Sequence, residues 1–241
     1  YPYLDMISRT TFWSMPVYYT NALVSKNLKW ETITATDVGI DLGLLNNRLN
    51  FTGDYYWKKN DNMLARLKTG NIIGIANLPL ENVGVLKTWG WELSLQWRDR
   101  IGEVSYNAGF HIDDSQNKLV KYTGNNVLTE GLVRHLEGYP INTIWGYKTD
   151  GLWKSRDEYL AYKEANPGYE SIEQDGIISG GDVRYLTQGN ADHKVGVGGA
   201  TPENSGDLVK LGTETPRYLY GINPCLEWKG FDFSLFWQGV G

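Results

Sequence analysis

Trp89, Trp91, Leu93, Leu95 and Trp97 stand at strict two-residue intervals, and Thr88, Gly90, Glu92, Ser94 and Gln96 fill the positions between them. A period of two belongs to a β-strand, whose successive side chains point to opposite sides, and it is incompatible with the 3.6-residue repeat of a helix. One side of this strand is therefore apolar and the other polar. Its length, with Trp at both ends, matches the roughly 9 to 11 tilted residues that cross the hydrocarbon of a bilayer, where aromatic rings mark both interfaces and a polar lumen lies behind. The pattern predicts that Trp89, Trp91, Leu93, Leu95 and Trp97 face lipid.

Composition narrows the solvent question further. The 241 residues include no apolar run of the roughly 18 that a membrane helix requires, so strands carry any crossing. The 10 Trp and 16 Tyr supply flat rings suited to strands and to membrane interfaces. A net charge of -5, with scattered Lys and Arg, argues against a nucleic-acid partner. Cys225 is the only cysteine, which excludes an internal disulfide and a cysteine metal cluster. Tyr1 to Asp5 lack the basic and apolar regions of a secretion signal, and both ends are expected to be cuts in a longer protein.

Taken in order, the chain predicts six strands, near 30–43, 48–58, 88–98, 103–113, 217–228 and 231–238. Tyr1 to Lys26 show no sustained period and are expected to be loop, with a strand end near Thr10 to Trp13. In the first strand Val38, Ile40 and Leu42 oppose Asp37, Gly39 and Asp41; in the second Leu49, Phe51, Tyr55 and Trp57 oppose Asn50, Thr52, Asp54 and Tyr56. Leu45 to Arg48 supply a tight turn between them, since Asn tolerates positive φ. Ala65 to Val83, with Gly70, Gly74 and Pro79, is expected to be a long connection. Tyr106, Ala108, Phe110 and Ile112 then oppose Asn107, Gly109, His111 and Asp113. Tyr218, Tyr220, Ile222, Leu226 and Trp228 alternate likewise, and the chain turns at Lys229-Gly230 to return through Phe231, Phe233, Leu235 and Trp237.

The longest connection, 119–215, carries structure of its own. Asp150-Gly151 predicts a small hairpin, and Ser155 with Glu158 forms a capping box at the start of a helix that ends at Pro167. Connections leading into the strands alternate long and short, the arrangement of outer-membrane barrels, whose periplasmic turns are short and extracellular loops long. A soluble β-rich carbohydrate-binding module, with Trp145, Tyr147 and Trp153 as its stacking platform, and a passive porin are the alternatives.

Asn27-Leu28-Lys29-Trp30-Glu31, Asp37-Val38-Gly39-Ile40-Asp41, Leu44 to Leu49 and Asp54-Tyr55-Tyr56-Trp57-Lys58-Lys59 resemble the barrel of the SusC/RagA family of TonB-linked outer-membrane proteins of Bacteroidetes. Glu137-Gly138-Tyr139-Pro140-Ile141-Asn142, Gly146 to Trp153, Tyr220-Gly221-Ile222-Asn223, Lys229 to Ser234 and Gln238-Gly239-Val240 resemble it in the same order. The resemblance implies an all-β, antiparallel transmembrane barrel of 22 strands closed around an N-terminal plug, of which residues 1–241 form one late portion without the plug and the final strands. It also implies import of a glycan or peptide across a bacterial outer membrane, energised by the TonB complex through the missing N-terminal part. A SusD-type surface lipoprotein is the implied partner, docking on the long loop 119–215.

Chemistry is sparse. Asp37, Asp41, Asp54, Glu92, His111 and Asp113 fall on polar strand faces and are predicted to line the lumen; glycosidic cleavage would instead need two carboxylates facing one bond at a set separation. His111, His135 and His193 lack metal-ligand spacing. Gly181-Asp182-Val183-Arg184-Tyr185 is followed by too few carboxylates for the calcium loop of some relatives. Gly196, Gly198 and Gly199 lack the strand-to-helix context of a phosphate loop. No enzymatic activity, cofactor or metal is predicted. Trp145, Tyr147 and Trp153 are the candidates for stacking on substrate or partner, with a local core as the competing role.

Overall fold

The computed structural model describes residues 7–20, 25, 27–66, 80–124, 127–172, 177–188, 194–196 and 201–241. His193, Gly70, Gly74, Pro79, Gly198 and Gly199 lie outside them. The elements are β1 (Ile7–Phe12), β2 (Met15–Thr20), β3 (Thr32–Leu44), β4 (Leu49–Arg66), β5 (Leu80–Ile101), β6 (Val104–Tyr122), β7 (Gly131–Val133), β8 (Thr143–Tyr147), β9 (Thr149–Leu152), α1 (Arg156–Ala165), β10 (Val183–Tyr185), β11 (Leu208–Thr213), β12 (Tyr218–Trp228), β13 (Phe231–Ser234) and β14 (Trp237–Val240). They fall into two compact units: a first of Tyr1–Asn125, Glu137–Pro140 and Thr215–Gly241, and a second of Asn126–Leu136 and Ile141–Glu214.

The first unit is built on an antiparallel sheet of order β13-β12-β6-β5-β4-β3, with β14 also pairing β12. Its turns follow local chemistry. Lys229 and Gly230 adopt φ of 50° and 85°, the two positive angles of a type I′ hairpin whose twist suits the flanking strands. Leu45, Asn46 and Asn47 are all left-handed between β3 and β4. The return strand predicted at 231–238 is split into β13 and β14 at Leu235–Phe236, and Pro224 in β12 lies opposite this gap. Pro224 has no N–H to give, so only its carbonyl is used, accepting from the Leu235 N–H at 3.0 Å. The partners Cys225↔Ser234 and Ile222↔Trp237 keep one register across the interruption.

Three strands outrun their predicted limits. β4, β5 and β6 are 18, 22 and 19 residues long, well beyond the 9 to 11 or so that a bilayer needs. Residues 65–66 and 80–83 of the connection expected at 65–83, and residues 119–122 of the predicted loop, are therefore strand. The ladder shifts register between Asn60 and Met63, where Asn62 is left-handed, and again between Val85 and Leu86. Each irregularity breaks the period of two that marks a strand in sequence. Residues 7–20, expected to be mostly loop, form the hairpin β1–β2, turning at Trp13 and Ser14 with φ of 50° and 62°.

In the second unit β8 lies between β7 and β11, and β9 pairs β10. The hairpin predicted at Asp150-Gly151 is not formed, because β8 and β9 join different sheets. Gly151, at φ 78°, instead supplies the extra residue of a bulge in β9, where two residues oppose one between Val183↔Leu152 and Tyr185↔Thr149. The helix starts as the sequence indicates: the Ser155 hydroxyl accepts from the Glu158 N–H at 3.2 Å. Glu158 reaches one residue further back than a capping box requires, accepting from the Lys154 N–H at 2.7 Å. Trp153, Tyr159, Tyr169, Ile178 and Val195 form the core, with Tyr147, Tyr162, Ile172 and Tyr185 packed on it.

Candidate functional site

The sheet register decides which side chains share a face. Trp97, Leu95, Leu93, Trp91 and Trp89 stand opposite Leu49, Phe51, Gly53, Tyr55 and Trp57 of β4, and β3 continues the face with Leu44, Leu42, Ile40 and Val38. On the other side Leu95 and Leu93 meet Phe110 and Ile112, which lead to Ile222 and Tyr220 of β12. In the rows of Leu93 and Leu95 one apolar face thus runs across the six strand positions, while one row further on Trp91 stands opposite Asp114. Many side chains of that face are open to solvent, Val38 at 60%, Ile40 at 52% and Trp237 at 56%, while Phe51, Trp89, Trp91 and Trp97 are half-buried.

The opposite face is polar and has its own order. Asp54 stands directly across from Glu92, and Glu92 from Asp113, so three carboxylates lie abreast on adjacent strands. Like charges placed this way destabilise a ladder unless water or a ligand screens them. Asp37 and Asp41 extend the acidic face on β3, and Asp41 accepts from the Thr52 hydroxyl at 2.7 Å. His111 is opposite Gly221, where any Cβ would collide with its ring. Gly90 likewise leaves room for Tyr56, whose hydroxyl donates to Ser115 Oγ at 3.0 Å. The six residues predicted to line a lumen therefore share one face, although Tyr56 and Ser115 were not among the candidates. Only the register reveals the abreast row, since its members are far apart in sequence.

The chain returns to the sheet through an ion pair. Arg217 donates from Nε and Nη2 to both carboxylate oxygens of Asp114, at 2.9 and 2.6 Å, and Gln116 adds a third bond at 2.9 Å. Asp114 is 2% exposed. This two-pronged contact joins β6 to the residue just before β12 across 103 positions of sequence. The motif Glu137-Gly138-Tyr139-Pro140 docks on β6 as well: the Leu119 N–H donates to the Tyr139 carbonyl at 2.9 Å, the Gly138 N–H to the Leu119 carbonyl at 2.8 Å, and the Tyr122 N–H to Glu137 Oε2 at 2.9 Å.

Trp145 and Trp153 are not a stacking platform. They are 5% and 1% exposed, and a ring covered on both faces offers none to a sugar. Trp153 is enclosed edge-on by Tyr159 and Tyr162 at centroid distances of 5.3 and 5.4 Å, with the Arg184 guanidinium 5.0 Å from its centroid. Trp145 donates to Thr143 Oγ1 at 3.2 Å within β8. Tyr147 is half-buried, edge-on to Tyr185 at 5.8 Å. Burial raises the pKa of the Tyr147 and Tyr169 hydroxyls. Asp182, in the segment weighed for calcium, accepts from the Ser179 N–H at 2.6 Å, and among the described residues no three His, Cys, Asp or Glu side chains are grouped to hold a metal.

The sequence matches the family described as TonB dependent receptor-like, beta-barrel, over residues 6–237. The chain belongs to that family. It is 28% identical to the TonB-dependent receptor SusC of Bacteroides thetaiotaomicron, over 87% of this chain and 19% of SusC. It is 27% identical to the TonB-dependent receptor P26 of Formosa agariphila, over 89% of this chain and 20% of P26. The fold matches the RagAB peptide importer in its closed-closed state with a TM-score of 0.70 at 19% identity, covering 100% of this chain and 24% of that one. The receptor segment thus spans about a fifth of the curated relatives it matches. Its sheet is an open piece of the antiparallel barrel, and the SusC/RagA resemblance of its strand motifs is confirmed.

Proposed function

We propose that the complete receptor imports a bulky nutrient, a glycan or a peptide, across the bacterial outer membrane with energy from the TonB complex. The observation that carries this reading is the two-faced sheet: a largely apolar face backed by one bearing Asp37, Asp41, Asp54, Glu92, His111 and Asp113. In this reading Trp89, Trp91, Leu93, Leu95 and Trp97 meet lipid, and the acidic face lines a water-filled lumen. The barrel binds and conducts and performs no chemistry on its cargo. Similarity to the RagAB peptide importer supports a peptide cargo, and the glycan class and the SusD-type lipoprotein partner are what the SusC/RagA resemblance implies. The second unit supplies exposed apolar side chains for that partner, Leu152 at 60%, Leu160 at 48% and Leu211 at 58%, in place of Trp145 and Trp153.

Uptake of labelled glycans and labelled peptides by cells carrying the complete receptor tests the proposal. The expected result is accumulation of one class that disappears when either TonB or the lipoprotein is deleted. Entry that persists without TonB would indicate a passive pore, and no entry of either class would reject import.

A further inference from the structure

Two residues beyond the aromatic row of Trp57 and Trp89, the apolar face ends in charge. Lys59 lies directly opposite Lys87, and Lys87 directly opposite Lys118, so three lysines stand abreast on β4, β5 and β6. All three fall in the same register as the rings and project from the same face: Lys59 follows Tyr55 and Trp57, Lys87 precedes Trp89 and Trp91, and Lys118 follows Asp114 and Gln116. Lys58, one position away, lies on the polar face with its ammonium 4.8 Å from the Tyr56 ring centroid.

Adjacent strands are about 4.8 Å apart, and like charges set directly opposite one another destabilise a ladder. The carboxylates on this part of the face leave most of the charge unbalanced. Asp61 pairs with Lys59 at 2.8 Å, and Asp114 is taken by Arg217. Lys87 and Lys118 are exposed and have no ion pair among the described residues. The row therefore calls for anions from outside the chain, on the side where the apolar face stops.

Its height identifies them. Two residues of strand rise about 7 Å, which places the lysines just past aromatic rings of the kind that mark a membrane interface. They lie toward the ends of β4, β5 and β6 that lead into the long connections, away from the short turns at 45–48 and 101–103. In a barrel of this kind the long connections are extracellular. Lysine stems can lie along apolar surface while their ammonium groups reach the headgroup layer.

We propose that Lys59, Lys87 and Lys118 form a cationic rail that binds the phosphate-bearing headgroups of outer-leaflet lipid against the outer wall of the receptor. The proposal rests on the reading that the apolar face meets lipid. Charge complementarity favours phosphate, and continuity of the row with the aromatic face favours a lipid over a soluble protein.

The test uses the complete receptor in neutral-lipid nanodiscs titrated with lipid A, a phosphorylated glycolipid, or with its dephosphorylated form. Wild type should bind the phosphorylated lipid and show little response to the other. Replacing all three lysines by Gln should weaken binding by about fivefold for each charge removed, whereas replacing them by Arg should preserve it. The single Lys87→Gln, with an expected loss of about fivefold, provides the same readout should the triple variant fold poorly. Equal binding by wild type and the Gln variants, or equal binding of the two lipids, would overturn the rail. Leu93→Arg is measured in parallel: if it is harmless the face does not meet lipid and the underlying reading fails, while a harmful Leu93→Arg beside unaffected lipid binding by the Gln variants removes the rail alone.

Discussion

The two units treat aromatic side chains in opposite ways. In the sheet, Tyr55, Trp57, Trp228 and Trp237 are each more than 45% exposed, whereas in the second unit Trp153, Tyr159 and Tyr169 are 1%, 5% and 3% exposed. Within the second unit Tyr169 donates from its hydroxyl to the Tyr185 carbonyl at 2.7 Å. The sheet satisfies its backbone through the ladder and leaves its apolar side chains to a different medium. Exposed aromatic surface on this scale is costly in water and ordinary in lipid. Residue type therefore does not separate the two regions; the distinction is whether the apolar surface is covered by the chain itself.

The largest expected effect falls on the self-covered region. Trp153→Ala should cost about 3 to 5 kcal/mol, because it empties the centre of the aromatic core. In the complete receptor, hydrogen exchange over α1, β9 and β10 should rise, and exchange over β3 to β6 should stay as it was. Matching loss in both regions would show that the two are one cooperative unit, and the comparison would fail.

A charge on the sheet sharpens the same contrast from the other side. Leu93 and Ser94 are adjacent and similarly exposed, but lie on opposite faces. Leu93→Arg should cost roughly 2 to 4 kcal/mol near the bilayer midplane, and Ser94→Arg far less. Folding titrations of the complete receptor in liposomes measure both. Equal costs would mean that the faces do not differ in solvent.

The alternation in 89–97 made the central strand legible because every second residue is large and apolar without exception. The same rule failed for residues 59–66 and 80–87, where bulges and a left-handed Asn62 interrupt the period. It also missed the break at Leu235–Phe236, since the cause is Pro224 on the neighbouring strand. Faces could be read within each strand, but rows across strands could not, as the alignment of Asp54, Glu92 and Asp113, or of Lys59, Lys87 and Lys118, depends on register. Asp150-Gly151 has the composition of a hairpin turn and serves as a bulge, because β9 takes β10 as partner and not β8. For Trp145 and Trp153, sequence offered both a core and a binding role, and only burial separates them.

The smallest expected effect is a pH response confined to the second unit. His135 is half-buried, and burial, with the nearby Arg134 guanidinium adding to it, holds its pKa below the usual histidine value. The unfolded segment, titrating near about 6.5, then binds a proton at pH values where the folded one does not. Its contribution to stability is complete above that pH and declines as the pH falls toward the folded value. Hydrogen exchange over 127–136 and 141–172 should therefore quicken between pH 7.5 and pH 5.5, after correction for the intrinsic exchange rate. His135→Gln removes the titrating group and should flatten that response, while exchange in β3 to β6 acts as the internal reference for any effect of acid on the barrel. An unchanged pH response in the His135→Gln receptor would assign the acid sensitivity to other groups, and a response shared equally by the sheet would place it outside the second unit altogether.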